Sequence, residues 1–226
     1  MRPDIRLIFL LLITQVILIG SITAYGKEGE IITYAIKPLG GQAEYSDLGL
    51  TQLAGKEVRL SSLKTESWGF KDTEKIYSDP ETLLPVRVER DVRWWFGREN
   101  IIEEYNQRDF KVIITKFKGN RKVSELTFSA DGPIYNAVLL PFHLAKVPNP
   151  EVGWSFVFRL PQKFEAKLTS LEDIKVGEKI FSTYHFTSVP DKFEVWISND
   201  TARIPLKIKG KGGFNYTLVM KELKMP

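Results

Sequence analysis

The feature that most constrains this chain is a repeated short run of β-branched and aromatic residues, apolar at every second position and bounded by turn residues. Such runs occupy residues 30–37, 58–64, 85–94, 101–105, 111–117, 154–160, 163–169, 180–187, 193–198, 204–209 and 214–220. Alternate side chains of a strand point to opposite faces, so this period fits half-buried strands. Turn formers separate the runs, among them Leu39-Gly40-Gly41, Ser78-Asp79-Pro80, Lys118-Gly119-Asn120, Asp131-Gly132-Pro133 and Asn199-Asp200. Turns at intervals of roughly ten residues predict a mainly β fold, a strongly curved antiparallel sheet or open β-barrel. One stretch, residues 134–146, has helical spacing in Ala137, Leu140 and Leu144 and in Val138, Pro141 and Ala145. Pro148 would end that helix, and Pro141 would kink it or begin a second turn. Residues 40–53 fit neither period clearly.

The chain has 226 residues, 43% apolar and 27% charged, with no cysteine. A β fold of this size can be one unit, so a single antiparallel β domain is expected over residues 27–226. Ahead of it, Arg2 and Arg6 precede the apolar run of residues 7–20, and small residues through Ala24 and Gly26 follow. A basic, an apolar and a small-residue segment in that order make a secretory signal peptide, cleaved after Gly26 or Ala24. The other reading is an uncleaved hydrophobic anchor helix, for which the apolar run is short. Either reading exports the β domain to the periplasm or cell envelope, with membrane contact only through the N-terminal segment if it stays.

Several function classes lose support. Lys and Arg are interleaved with Asp and Glu for a net charge of +4, without the clustered patch that nucleic acid requires. The absence of cysteine removes thiol catalysis and cysteine-ligated metals. The two histidines, His143 and His185, have no His or carboxylate at i+4, so no metal ligand set is expected. No Gly-x-Ser-x-Gly elbow or phosphate-binding glycine loop occurs. The pairs Glu103-Glu104 and Glu172-Asp173 point to opposite faces within a strand and are expected on a solvated surface. The sequence therefore predicts no enzyme and no cofactor. One group suggests a binding platform: Trp94-Trp95-Phe96, in which Trp94 and Trp95 are the candidate ligand-binding residues for a sugar or lipid. Alternation would instead turn one of them into the core.

The C-terminal half carries a resemblance. Phe193-Glu194-Val195-Trp196-Ile197-Ser198-Asn199-Asp200 followed by Arg203-Ile204-Pro205-Leu206-Lys207-Ile208 resembles the closing motif of an exported bacterial family known as domain of unknown function 3108. Tyr77-Ser78-Asp79-Pro80-Glu81-Thr82-Leu83-Leu84-Pro85 resembles its hairpin, and Gly177-Glu178-Lys179-Ile180 its glycine turn. The likeness spans roughly residues 75–222, and Gly29-Glu30-Ile31-Ile32-Thr33-Tyr34 keeps part of the family's opening. It implies an exported β-rich fold of unestablished function and no catalytic residues. Within the motif, Trp196 shares a strand face with Glu194 and Ser198, opposite Val195 and Ile197. Trp196 is expected to build the fold, as the core-facing member of its set. The function expected is a cell-envelope protein holding a lipid or other amphiphile in an apolar concavity, or else a structural or interaction module without a small ligand.

Overall fold

The computed structural model describes residues 28–212 and 215–225; the expected signal or anchor segment lies outside the described residues. In chain order the strands are β1 (Ile31–Lys37), β2 (Gln42–Leu53), β3 (Lys56–Ser67), β4 (Phe70–Ser78), β5 (Pro85–Trp94), β6 (Gly97–Asn106), β7 (Lys111–Lys118) and β8 (Arg121–Ser129). A short helix, α1 (Leu140–Ala145), the one helix among the described residues, precedes β9 (Ser155–Leu160), β10 (Gln162–Val176), β11 (Lys179–Val189), β12 (Phe193–Ser198), β13 (Pro205–Gly210) and β14 (Tyr216–Lys224). The strands form one 14-stranded sheet in the order β8-β7-β6-β5-β4-β3-β2-β1-β14-β13-β12-β11-β10-β9. Every ladder is antiparallel, and the two chain ends meet where β1 pairs with β14. The barrel is not closed: β8 and β9 do not pair, and the chain between them crosses into the interior, meeting β9 at the parallel bridge Ile134–Arg159.

That crossing segment supplies the plug. Leu140, Leu144 and Ala145 pack on Phe158, Leu168, Phe186, Val195 and Ile197. Leu139 and Phe142 pack the other way, on Ile32, Tyr34, Tyr45, Ile76 and Val88. Phe142 stacks on Tyr45 with ring centroids 4.1 Å apart. Each such side chain contributes about 1.5–3 kcal/mol when fully removed from water, so the helix joins two apolar clusters into one interior.

The helix is shorter than the apolar spacing suggests. Residues 134–139 are not helical, which corrects the expectation of a helix over residues 134–146. The reason is Pro141, which has no N–H and cannot follow a helical turn without clashing; it sits in the first turn instead. Ahead of it, Asn136 Oδ1 accepts from the backbone N–H of Val138 and Leu139 at 2.8 and 3.2 Å, which caps the entry.

The ambiguous residues 40–53 form β2. Its bulge after Asp47 explains the broken alternation, with Gly49 at φ +78° and its N–H donating to Asp47 Oδ1 at 3.0 Å.

Candidate functional site

The helix fills one half of the interior, between β1, β2 and β9 to β14. The half formed by β4 to β8 stays partly open. A cleft of about 230 Å³ lies there between the sheet and residues 134–138 of the crossing segment. One wall is apolar: Val112, Ile114, Ile134, Val138 and Leu160. The other is polar: Glu74, Arg90, Glu103, Tyr105 and Asn136.

Cross-strand register brings the polar wall together. Glu74 pairs with Arg90 between β4 and β5, and Arg90 with Ile101 of β6, one position of the same face from Glu103. Arg90 donates to Asp72 and lies 3.4 Å from Glu74 through Nε. Asn136 Nδ2 donates to Glu74 Oε1 at 3.2 Å, and the Tyr105 hydroxyl donates to Glu103. Gln107 holds the cleft's cover in place, donating from Nε2 to the carbonyls of Pro85 and Ile134 and accepting the Ile134 N–H at 3.1 Å.

The electrostatics follow from burial. Glu74 is 8% exposed. Desolvation pushes its carboxyl up to about 7; Arg90 and the Asn136 hydrogen bond pull it down, and Glu103 and Asp72 add to the rise. Burial also works against the Arg90 charge, but the Asp72 hydrogen bond and the Glu74 and Asp72 charges outweigh it and raise its pKa. Tyr105 is driven well above its ordinary value, first by burial and then by Glu103. Three buried side-chain atoms have no hydrogen-bond partner among the described residues: Asp72 Oδ1 and Arg90 Nε here, and His143 Nε2 on α1.

Two other cavities define the alternatives. A mostly apolar pocket of about 100 Å³ lies beside the helix, against Tyr45, Leu63, Pro141, Phe142 and Leu218. The helix occupies much of the interior on this side, and the apolar concavity beside it is small. On the outer face of β4 to β7 a shallow groove of about 750 Å³ is lined by Thr73, Lys75, Glu89, Arg93, Asn100 and Phe117. It lies open to water, and charges there pair with one another, as Arg87 with Glu89 and Arg93 with Asp91.

Trp94 and Trp95 lie away from the cleft. Trp94 ends β5, Trp95 and Phe96 form the turn into β6, and all three are exposed. The alternation that would send one Trp into the core fails because the turn begins at Trp95. Glu103 faces the cleft, half-buried, which corrects its assignment to a solvated surface; Glu104 is exposed and pairs with Arg87 at 3.0 Å.

The histidines are not scattered singles. His143, on α1, packs against Tyr135, and burial lowers its pKa to about 4, helped by Lys146. His185 lies between two carboxylates, with Nε2 3.1 Å from Glu194 Oε2 and Nδ1 3.6 Å from Glu172 Oε1. Its ring stacks on Trp196, centroids 4.2 Å apart and 7° from parallel. Trp196 donates to Glu172, and the Lys207 ammonium sits 3.9 Å from its ring centroid. Val195 and Ile197 face the apolar interior. Trp196 thus points outward, against the expectation, and is buried to 4% exposure by a lid of polar side chains. Among the described residues no cluster of three metal-ligating side chains forms, and no helix is long and apolar enough to cross a membrane.

The model of a family described as "Protein of unknown function (DUF3108)" matches residues 56–221. A solved structure described as a beta-barrel-like protein of domain of unknown function DUF1849, from Brucella abortus, superposes with a TM-score of 0.52. The identity is 6%, and the match covers 89% of this chain and 99% of that one, a likeness of fold alone. No curated protein matches the chain.

Proposed function

The chain belongs to the DUF3108 family, and we propose that it serves as an exported, non-catalytic binding protein of the cell envelope that takes an amphiphilic ligand into the cleft between β4–β8 and the crossing segment. The observation that carries this reading is the two-sided lining of the cleft. Ile114, Ile134 and Leu160 offer a dry wall to a chain or ring, while Arg90, Glu74 and Glu103 offer charged partners to a head group. At about 230 Å³ the cleft is smaller than a typical drug-sized site of ~300–1,000 Å³, so it takes one end of a lipid-like molecule rather than the whole. Glu74 and Glu103 line the cleft while Arg90 is already paired with Asp72, which favours a cationic, zwitterionic or hydroxylated head over an anionic one. Export is supported by the basic, apolar and small-residue order of residues 1–26.

A catalytic reading has one observation in its favour. A buried carboxyl with a pKa near neutrality beside a second carboxylate is a general acid–base arrangement. Against it, the described residues lining the cleft include no serine, threonine, cysteine, histidine or lysine that could act as a nucleophile beside Glu74. The binding reading accounts for the same groups without a nucleophile.

Calorimetric titration with single-chain amphiphiles bearing cationic, zwitterionic and anionic heads tests the proposal. One saturable site for a cationic or zwitterionic amphiphile, lost in Ile114→Glu, is expected. Binding of none of them, or equal binding by Ile114→Glu folded to the wild-type melting temperature, would refute it.

A further inference from the structure

The antiparallel order puts four hairpin turns side by side at one end of the barrel: β1–β2, β3–β4, β5–β6 and β7–β8. Contacts join the first three of them, and the β7–β8 turn follows next in strand order. Ser67 Oγ donates to the Gly40 carbonyl at 2.9 Å, and the Trp95 N–H donates to the Gly69 carbonyl at 3.1 Å. Trp68 meets Trp95 edge-on at 5.1 Å, and Trp94 stacks on Phe96 at 5.9 Å. Apart from the contact of Trp94 with Phe70, ring centroids 4.5 Å apart, the ring contacts of these side chains are with one another. Trp68 is 83% exposed, Phe96 78% and Trp95 73%, and Leu39 of the first turn is exposed beside them. A contiguous exposed apolar patch of this kind marks an interaction surface.

The charge of the rim is one-sided. Taking each turn with two strand residues on either side, residues 36–43, 66–71, 93–98 and 117–122 hold seven Lys or Arg and one acid, Glu66. The turns at the opposite end, taken likewise as residues 52–57, 77–86 and 105–112, hold three Lys or Arg and four Asp or Glu, with no tryptophan. Some rim cations are shared with acids: Lys71 pairs with Glu66, and Arg93 and Arg98 with Asp91 just outside the rim. Lys37, Lys118 and Arg121 are exposed and form no ion pair among the described residues.

We propose that this rim docks on an anionic phospholipid bilayer, with Trp68, Trp95 and Phe96 entering the head-group region and Lys37, Lys118 and Arg121 held over the lipid phosphates. Tryptophan combines an apolar ring with a hydrogen-bond donor and settles at the membrane–water boundary. Basic side chains close to an anionic surface add to that affinity, and salt weakens their share. Four short turns bring the aromatics to the surface without unfolding any strand. The proposal uses no side chain of the interior cleft, so it can fail while the amphiphile reading holds, and the reverse.

The test uses the full chain and phosphatidylcholine vesicles with brominated acyl chains, with and without phosphatidylglycerol. Residues 1–26 contain no tryptophan, so fluorescence quenching reports the β region. Quenching is expected with phosphatidylglycerol and is expected to fall with added salt. Lys37→Glu/Lys118→Glu/Arg121→Glu, which keeps every tryptophan, should weaken it about a hundredfold. Phe96→Ser should reduce the quenching while keeping its dependence on phosphatidylglycerol. No quenching, equal quenching on pure phosphatidylcholine, or undiminished quenching of the charge-reversal variant would overturn the proposal, the last by assigning contact to another part of the chain.

Discussion

Asn136 Nδ2 donates to Glu74 Oε1 at 3.2 Å, joining residues 62 positions apart. The same Asn136 side chain caps the turn that leads into α1. One residue therefore fixes the entry of the plug and satisfies a buried carboxyl of the barrel wall. Helix placement and cleft shape are coupled through it.

Asn136→Ala removes both roles. The lost side-chain turn and the unsatisfied Glu74 together should cost about 2–4 kcal/mol, seen as a lower denaturant midpoint with an unchanged slope. Asn136→Asp should keep the turn but set a further carboxylate against Glu74, so its loss of stability relative to wild type should be larger at pH 8 than at pH 5.

Two buried groups give opposite pH dependence. Glu74 titrates at about 7 when folded against an ordinary 4.5, so the folded state holds a proton that the unfolded chain releases. Its contribution to stability falls as pH rises between those values, by an amount on the order of 3 kcal/mol. His143 titrates at about 4 when folded against 6.5, so the unfolded chain takes up a proton that the folded state refuses. Its contribution rises with pH between those values, by a similar amount. The two slopes nearly cancel from about pH 4.5 to 6.5. Glu74→Gln should expose the rising slope and His143→Gln the falling one, measured as denaturation midpoints across that range. Parallel profiles for the two variants would contradict both assignments.

Trp196 faces outward, yet its burial under His185 and Lys207 makes it structural. Trp196→Ala should cost about 3 kcal/mol, the low end of aromatic truncations, because the flexible polar lid can close over part of the space. Trp196→Phe keeps the stacking surface and loses the hydrogen bond to Glu172, for about 1 kcal/mol. Thermal melts of the two variants check the order; a Trp196→Ala protein that melts with wild type would free Trp196 for a role in binding.

Most strands were legible because their inward residues are apolar, as in Val112 and Ile114 of β7 or Val195 and Ile197 of β12. The strand that escaped and matters most is β4. Its inward positions include Asp72, Glu74 and Ile76, so two charges interrupt the apolar period; Glu74 lines the cleft and Asp72 pairs with its Arg90. The strand β8 escaped for another reason: at the sheet edge nearly all of its side chains are exposed, and no apolar face is selected. A sign of the cleft was present in β5, where period two sets Arg90 between Val88 and Val92 on the inward face, a place that demands an acidic partner. Which strand supplies that partner depends on register, which the spacing of residues does not carry. The paired carboxylates around His185 come likewise from β10 and β12, on either side of β11, and no spacing along the chain announces them.

The central claim is that the cleft behind Arg90 and Glu74 holds an amphiphile. Native mass spectrometry of the protein purified from the envelope of its own host tests it most directly. The account predicts one retained amphiphile per chain, lost in an Ile114→Glu protein with an unchanged melting temperature. A wild-type protein that carries no added mass, or an Ile114→Glu protein that retains the same mass, would contradict it.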